Sequence, residues 1–182
     1  MTRRVLAVGG PPGSGKSTAG RLVAEAMGLE FRSAGEEFRR EGRARGMDVE
    51  AFGRFAESHP EIDRDLDTRM LGLATPGRLL EGRLTGPLCR RHQIAVRYVV
   101  VTASEDVRVH RIAQRDGLSY AVAQHHVRAR AASERQRYLG FYGIDVEREV
   151  ADVTIDSTVA PASEVAGAIV AFVKERDASE PP

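Results

Sequence analysis

The sequence has one cysteine, few aromatic residues and no long hydrophobic run. Its 182 residues include Cys89, no tryptophan and 5% aromatic residues. A single cysteine excludes a disulfide framework and a cysteine-based metal site, and no apolar run approaches the roughly 20 residues that a membrane-spanning helix needs. The apolar run that follows residues 1–4 is too short for a signal peptide. We therefore expect a protein of the reducing cytoplasm that has no membrane partner.

Net charge is also small. The 27 Lys and Arg residues and 26 Asp and Glu residues leave a formal charge of +1. The chain thus lacks the bulk positive charge of a nucleic-acid binder, and we expect no nucleic-acid partner. Lysine is scarce, with Lys16 and Lys174 as its two examples, so that arginine, which can hold phosphate groups bidentately, dominates the cations. The five histidines include no H-x-x-x-H pair, which argues against a transition-metal site.

The stretch at residues 9–18, GGPPGSGKST, carries the strongest functional signal. It follows an apolar run at residues 5–8 and precedes an amphipathic helical pattern at residues 19–27, so it fits the G-x-x-x-x-G-K-[ST] phosphate loop in its strand–loop–helix context. Lys16 can reach the β- and γ-phosphates of a nucleoside triphosphate, and the Ser17 hydroxyl can ligate Mg²⁺. A plain turn rich in glycine and proline is disfavoured, because the spacing and both flanks match. The residues expected to bind ATP are Gly10, Pro11, Pro12, Gly13, Ser14, Gly15, Lys16, Ser17 and Thr18.

Apolar runs and helical patterns alternate along the rest of the chain. Their alternation predicts an α/β fold, in which a five-stranded parallel sheet is sandwiched by helices. The predicted strands are residues 5–8, 29–32, 78–81, 98–102 and 150–156. Glycines bracket residues 82–86, which we expect to form a loop.

Two helical regions stand out between these strands. Residues 34–75 predict three short helices over the sheet edge, which begin after Ser33 with a capping-box pattern. Residues 118–138 predict a long, arginine-rich helix, interrupted or ended by the glycines at 140 and 143. A closing helix is expected at residues 161–174. The chain then forms one domain, residues 1–176, followed by a disordered tail at residues 177–182.

Two arginines follow predicted strands at the edge where ligands bind in parallel sheets, namely Arg39 and Arg83. Their convergence opposite a phosphate loop suits a second phosphate group. A phosphomonoester acceptor is largely dianionic at neutral pH and needs no general base. A hydroxyl acceptor would need one, and Glu36, Asp63 and Glu81 are the candidates. Glu81 also stands where it can hold a water on Mg²⁺.

Further arginines lie in the helical region after the fourth strand. Arg111 and Arg115 share one helix face, as do Arg130 and Arg137. On a mobile helical arm they can close over ATP and neutralise charge in the transition state. A solvated basic helix remains the alternative.

Taken in order, these motifs resemble those of the nucleoside monophosphate kinase superfamily of P-loop NTPases, and most of all the compact cytidylate kinases. Besides the phosphate loop, the resemblance covers SAGEEFR at 33–39, HPEID at 59–63, EGRL at 81–84, RIAQRDG at 111–117, SERQRY at 133–138 and YGID at 142–145.

The resemblance implies a nucleoside monophosphate kinase fold, with a helical NMP-binding segment at about 34–75 and a short lid at about 117–145. It implies ATP + (d)CMP giving ADP + (d)CDP with Mg²⁺, in a monomer or homodimer whose partners are small nucleotides. Arg39 and Arg83 would hold the acceptor phosphate, with Glu81 at the same site, and Ser33 and Asp63 would lie near the nucleoside. The lid arginines around the transferring phosphoryl group would be Arg111, Arg115, Arg130 and Arg137.

Some residues depart from the family pattern, and they keep two other hypotheses open. The departures are Glu37, Ala131, the stretch 84–89 and the pair Asp156-Ser157. They motivate a kinase of a modified cytidine monophosphate or another small metabolite in a biosynthetic pathway. A nucleotide-binding regulatory protein without transferase activity is the third hypothesis, although such a protein would not need acceptor arginines.

Overall fold

A five-stranded parallel sheet forms the centre of the computed structural model, which describes residues 4–179. The strands are β1 (Val5–Gly9), β2 (Glu30–Ser33), β3 (Arg78–Glu81), β4 (Val96–Thr102) and β5 (Val153–Asp156). Their order is β2-β3-β1-β4-β5, and every neighbouring pair is parallel. The predicted α/β sandwich is therefore confirmed.

Eight helices occur within residues 4–179. They are α1 (Lys16–Met27), α2 (Ala34–Ala44), α3 (Val49–Glu57), α4 (Pro60–Gly72), α5 (Thr85–Arg91), α6 (Glu105–Asp116), α7 (Tyr120–Tyr142) and α8 (Ala162–Ser179). The three short helices expected after β2 are α2, α3 and α4. Helix α2 begins as predicted, because the Ser33 hydroxyl accepts a hydrogen bond from the Glu36 N–H over 3.2 Å.

Both faces of the sheet are covered, since alternate residues of a strand point to opposite sides. On one face, Leu6 and Val8 of β1 pack with Val23 of α1 and Ile169 of α8. On the other face, the core contains side chains of α4 and α5 together with β-strand residues, namely Val5, Ala7, Leu66, Met70, Leu80, Cys89 and Tyr98. Helices α4 and α5 thereby become fixed beside the carboxyl ends of β1 and β3.

The loop predicted at residues 82–86 is wrong in its second half, because α5 begins at Thr85. Gly86 belongs to this helix, and a Cβ atom at Gly86 would lie 2.1 Å from the ring of Tyr98. The glycine thus allows α5 to pack directly on β4. Its purpose is close packing and not a turn.

The predicted ends of two other helices also need correction. Helix α7 runs through Gly140 and ends at Gly143, whose φ of +65° is left-handed. Helix α8 includes residues 177–179, which we expected in a disordered tail. Asp177 is held there by the Arg97 guanidinium over 3.0 Å. Residues 180–182 lie outside the described part of the chain.

Candidate active site

A cavity of about 570 Å³ lies beside the end of β1. Strand β1 has β3 on one side and β4 on the other. The connection after β1 leads to β2 on one side of the sheet, whereas the connection after β3 leads to β4 on the other side. Ligands bind in open parallel sheets where the connections change direction in this way. The walls come from the phosphate loop (residues 9–18), α1, α2, α4, the β3–α5 connection, α6, α7 and the segment after β5.

The phosphate loop is built for close approach of the backbone. Gly10 has a φ of +141°, and a Cβ atom there would lie 2.0 Å from the Val101 carbonyl oxygen. Gly15 is left-handed with a φ of +83° and directly precedes α1. No side chain caps α1, so its first N–H groups remain available to an anion.

Lys16 lies against a buried carboxylate at the end of β3. Its Nζ is 3.5 Å from Oε1 of Glu81, while the Ser33 hydroxyl donates to Oε2. Burial lowers the pKa of Lys16, and the charge of Glu81 opposes that effect. Glu81 therefore orients the lysine at the cavity wall, and both of its oxygens already have partners.

A second buried carboxylate, Glu134 of α7, joins two arginines. Arg130 donates to its Oε1 over 2.7 Å, and Arg83 donates to its Oε2 over 3.1 Å. Burial opposes ionisation of this carboxyl, but the charges of Arg130 and Arg83 outweigh it and lower the pKa of Glu134 to about 2. The cluster of Arg83, Arg130, Glu134 and Lys16 is thus a charged patch on the cavity wall next to the phosphate loop.

Arg39 lies on the α2 side of the same cavity and is half-buried. Among residues 4–179 its guanidinium has no hydrogen-bond or ion-pair partner. Burial and the nearby charge of Arg130 lower the pKa of Arg39. A half-buried cation that faces a cavity without a protein partner is suited to an anionic ligand.

Helices α4 and α7 are linked by two polar pairs that are stacked along them. Arg137 donates to both oxygens of Asp63, and both residues are buried. About one turn further on, the Tyr142 hydroxyl donates to Oδ2 of Asp67 over 2.6 Å. Both aspartates lie on the cavity wall together with Phe38.

The opposite side of the cavity is formed by α6 and the segment after β5. Arg111 donates to the hydroxyl and the carbonyl oxygen of Ser157, over 2.9 and 2.6 Å. The Ser157 hydroxyl in turn donates to the carbonyl oxygen of Ser14 over 2.7 Å. Arg111 is therefore fixed beside the phosphate loop.

Comparison with known proteins agrees with this geometry. The family model described as an AAA domain matches residues 6–139. The cytidylate kinase of Archaeoglobus fulgidus is 37% identical over 84% of both chains. That of Methanococcoides burtonii is 38% identical over 85% of this chain and 87% of the relative, and that of Methanothermobacter thermautotrophicus is 37% identical over 84% and 94%. The chain belongs to the cytidylate kinase family.

Solved structures of other kinases share the fold. Shikimate kinase from Acinetobacter baumannii, in complex with shikimate, superposes with a TM-score of 0.66 at 20% identity and covers 95% of this chain and 94% of its own. A gluconokinase from Sinorhizobium meliloti gives a TM-score of 0.54 at 18% identity, with 97% and 95% covered. The fold is therefore that of a P-loop kinase. Membership of the cytidylate kinase family makes the chain a kinase, that is, a phosphotransferase.

The polar side chains on the cavity wall show whether a nucleotide with bound Mg²⁺ fits the cavity of the kinase. The Ser14 hydroxyl is buried on the wall without a hydrogen-bond partner, which leaves a donor for a ligand oxygen. Ser17 lies on the same wall, but no group of three or more His, Cys, Asp or Glu side chains within residues 4–179 is arranged as a metal site. Mg²⁺ keeps several waters and substrate phosphates as ligands. The residues therefore fit a metal that arrives with nucleotide phosphates, and the Ser17 hydroxyl is the group on the wall that would hold it.

Most of the predicted site residues meet at the cavity of the kinase. Those on its wall are Pro12, Gly13, Ser14, Gly15, Lys16, Ser17, Thr18, Arg39, Asp63, Glu81, Arg83, Arg111, Arg115, Arg130 and Arg137. Gly10 and Pro11 are not on the wall, and Ser33 is buried behind it against Glu81. Arg115 reaches the wall, but more than half of its side chain is exposed and it pairs with Asp116. Arg137 is committed to Asp63.

Sequence analysis of the kinase missed three residues of the site. Glu134 lies four residues after Arg130 and three before Arg137, which places the three residues on one helix face. An acid between two arginines on that face could have indicated an ion pair at the site. Asp67 lies on the buried face of α4 among Leu66 and Met70, where an ionisable residue is unexpected. Ser157 was noted as part of a departure from the family pattern, but nothing in the sequence indicated its contact with Arg111. Among the helices of residues 4–179, none has the length and apolarity to cross a membrane.

Proposed function

We propose that this kinase transfers the γ-phosphoryl group of ATP to the phosphate of CMP or dCMP, giving CDP or dCDP, with Mg²⁺. The relatives of similar length are cytidylate kinases by name. The observation that carries the proposal is the position of Arg83: it shares the Glu134 carboxylate with Arg130, in the same cluster as Lys16. An arginine from the β3–α5 connection is thereby next to the phosphate loop.

The state of the three predicted bases and of Glu134 supports a phosphate acceptor over a hydroxyl acceptor. Glu81 is occupied by Lys16 and Ser33, and Asp63 is occupied by Arg137. Glu36 pairs with Arg21 in a partly exposed contact. The pKa of Glu134, about 2, is too low for a general base at neutral pH. A phosphate acceptor needs no base, because its oxygen is already ionised.

Each charged group then has a role in positioning or in charge neutralisation. Lys16 and the N–H groups at the start of α1 would hold the donor phosphates. Arg39 and Arg83 would hold the acceptor phosphate in line with them. Arg130, from α7, would neutralise charge on the group in transfer. Bound Mg²⁺, with Ser17 as ligand, would supply further neutralisation of the donor phosphates.

Different elements around the cavity would bind the acceptor, cover the site and bind the donor. Helices α2, α3 and α4, within residues 34–75, would form the NMP-binding segment. Helix α2 contributes Arg39 to the wall, and α4 contributes Asp63 and Asp67. Residues 117–145, which contain α7, would act as the lid. Arg111 and the segment after β5 would then flank the donor nucleotide, since they contact the phosphate loop.

An acceptor panel tests this proposal. ADP release is measured with Mg-ATP and CMP, dCMP, UMP, AMP, GMP or no acceptor. Turnover that depends on CMP or dCMP and exceeds the rate with the other acceptors is expected. Slow turnover with every monophosphate, despite ATP binding, would overturn the CMP assignment and favour a modified nucleotide or another small metabolite. ATP binding with no product under any acceptor would favour the regulatory hypothesis.

A further inference from the structure

Residues along α7 mark two ends of the acceptor side of the cavity, one near the phosphate groups and one away from them. Arg130 and Glu134 mark the phosphate end, where they meet Arg83 and Lys16. Tyr142 is eight residues beyond Glu134, about 12 Å along the helix axis. It holds Asp67 through its hydroxyl. The Asp67–Tyr142 pair is therefore at the end of α7 that is further from the phosphate cluster.

Apolar and aromatic side chains make the cavity wall suited to a flat, largely apolar ring. Phe38, Leu66, Leu84 and Tyr138 contribute to it. In the neighbouring Asp63–Arg137 pair, Nη1 of Arg137 donates to both oxygens of Asp63, while the buried Nε of Arg137 has no hydrogen-bond partner within the described part of the chain. Asp67 differs, because Oδ2 accepts from Tyr142 while Oδ1 has no hydrogen-bond partner among residues 4–179. A buried carboxylate on a cavity wall with one free oxygen is an acceptor for a ligand donor.

We propose that Asp67, held in place by Tyr142, reads the base of the acceptor nucleotide, and that its carboxylate accepts a hydrogen bond from an exocyclic amine such as that at C4 of cytosine. The inference rests on the proposed function and names the specificity residue of the same site. A carboxylate accepts a hydrogen bond from the C4 amine of cytosine. Uracil has a carbonyl oxygen at C4, which is also an acceptor, so no hydrogen bond can form between it and the carboxylate.

The surroundings keep Asp67 in one orientation. The ring of Tyr142 packs with Leu84, Leu88 and Ile144, so the hydroxyl that holds Oδ2 comes from a packed side chain. Tyr142 is not on the cavity wall. It acts behind Asp67 as a positioning residue.

The protonation state of Asp67 provides a second readout of the same role. Burial raises the pKa of Asp67 to about 7, with the Tyr142 hydrogen bond opposing and the charge of Asp63 adding to the effect. The other charged or titratable groups around it are Arg137 and Tyr138, and burial raises the pKa of Tyr138 and of Tyr142. Between pH 6 and pH 8 the tyrosines stay neutral and Asp67 gains charge. Burial also raises the pKa of Asp63, but the charge and hydrogen bonds of Arg137 oppose that shift.

The test compares CMP with UMP, which share the phosphate and sugar and differ at C4. The kcat/KM of the wild-type kinase is expected to favour CMP by at least tenfold. Asp67→Asn is expected to reduce that ratio at least tenfold, chiefly through the KM for CMP. Asp65→Asn is the matched control: Asp65 is exposed on the same helix, and its substitution should leave the ratio within twofold. An Asp67→Asn enzyme that is active and keeps the wild-type ratio would overturn the proposal.

Two measurements on wild-type protein keep the proposal testable if Asp67→Asn does not fold. The CMP-to-UMP ratio of kcat/KM should rise as the pH increases from 6 to 8, since ionisation of the phosphate is common to both substrates and cancels. A ratio that is constant over this range, or falls, would contradict the role of Asp67. Calorimetric binding of CMP and UMP without ATP separates the two proposals: preference for CMP without turnover would refute the kinase assignment and leave the base-reading role intact.

Discussion

Arg83 and Glu134 lie 51 residues apart in the sequence, yet the Arg83 guanidinium donates to the Glu134 carboxylate over 3.1 Å. The contact joins the segment after β3 to α7. Arg130 uses the other carboxylate oxygen, so one buried acid balances two partly buried arginines from different elements. In the absence of nucleotide, Glu134 supplies the negative charge that phosphate groups would bring to these arginines.

Replacement of Glu134 by glutamine should destabilise the protein in a pH-dependent way. The pKa of Glu134 is lowered from an ordinary 4.5 to about 2, so its charge contributes stability above about pH 4.5 and loses that contribution as the pH falls toward 2. At pH 7 we expect the free energy of unfolding to fall by about 3 kcal/mol in Glu134→Gln. Urea denaturation from pH 7 to pH 3 measures both effects.

The control for Glu134 is Glu175→Gln, an exposed site on α8, which should behave as wild type. The stability difference between wild type and Glu134→Gln should be constant above pH 5 and shrink below it. Equal stabilities at pH 7, or a difference that does not change between pH 6 and pH 3, would show that the Glu134 charge is not balanced as described.

Removal of the Arg39 side chain should impair the acceptor more than the donor. Arg39 is half-buried on the cavity wall, whereas Arg40 is exposed and pairs with Glu37. A charged hydrogen bond to phosphate is worth about 1.5–3 kcal/mol, so Arg39→Ala should lower kcat/KM for CMP by roughly tenfold to a hundredfold. The KM for ATP should stay within twofold. Steady-state kinetics with both substrates measure this.

Arg40→Ala, one residue further along α2, controls for loss of a positive charge on the same helix. Its kinetics should match wild type within twofold. If both variants lose activity to the same extent, then general electrostatic attraction and not a specific contact explains the effect of Arg39.

The unpaired hydroxyl of Ser14 predicts opposite effects on stability and on nucleotide binding. A buried hydroxyl without a partner costs free energy, so Ser14→Ala should leave the free protein as stable as wild type or more stable by about 1 kcal/mol. If the hydroxyl donates to a phosphate oxygen, the rise in Tm on addition of Mg-ATP should be smaller in the variant. Thermal unfolding with and without Mg-ATP checks both. Loss of stability together with an unchanged ATP effect would contradict this role.

Two glycines should respond in opposite directions to the same substitution. Gly10→Ala would place a Cβ atom 2.0 Å from the Val101 carbonyl oxygen at a φ of +141°, so it should displace the phosphate loop and abolish ATP binding. Gly140 lies inside α7, and nothing lies within 4 Å of a Cβ atom there. Gly140→Ala should stabilise the protein by about 0.5–1 kcal/mol. Calorimetric ATP binding and thermal unfolding distinguish the two, and a Gly10→Ala protein with wild-type ATP affinity would contradict the packing of the loop.

Local signals were sufficient for much of the fold. Ser33 caps α2 through its own hydroxyl, and Gly28 and Gly117 end α1 and α6 in the left-handed conformation. These features depend on residues a few positions apart, so the sequence contains the whole interaction. The phosphate loop is equally local, and its strand and helix flanks were predicted with it.

Features that depend on distant partners were not predictable in the same way. Gly86 indicated a turn, although it exists to admit the ring of Tyr98. The pKa of Glu134 is lowered by Arg130 of its own helix and by Arg83 of another element. The pKa of Asp67 is raised by burial under other elements, against the hydrogen bond from Tyr142. Helix periodicity can place such acids on a buried face, but it cannot name the residue opposite them.

A single-turnover experiment tests the central claim most directly. The kinase, in excess over ATP labelled at the γ-phosphate, is mixed with CMP and Mg²⁺, and the products are separated. We expect the label to appear in the β-phosphate of CDP, with little free phosphate. Label found solely as inorganic phosphate, or remaining in ATP while CMP is bound, would contradict transfer to a nucleoside monophosphate.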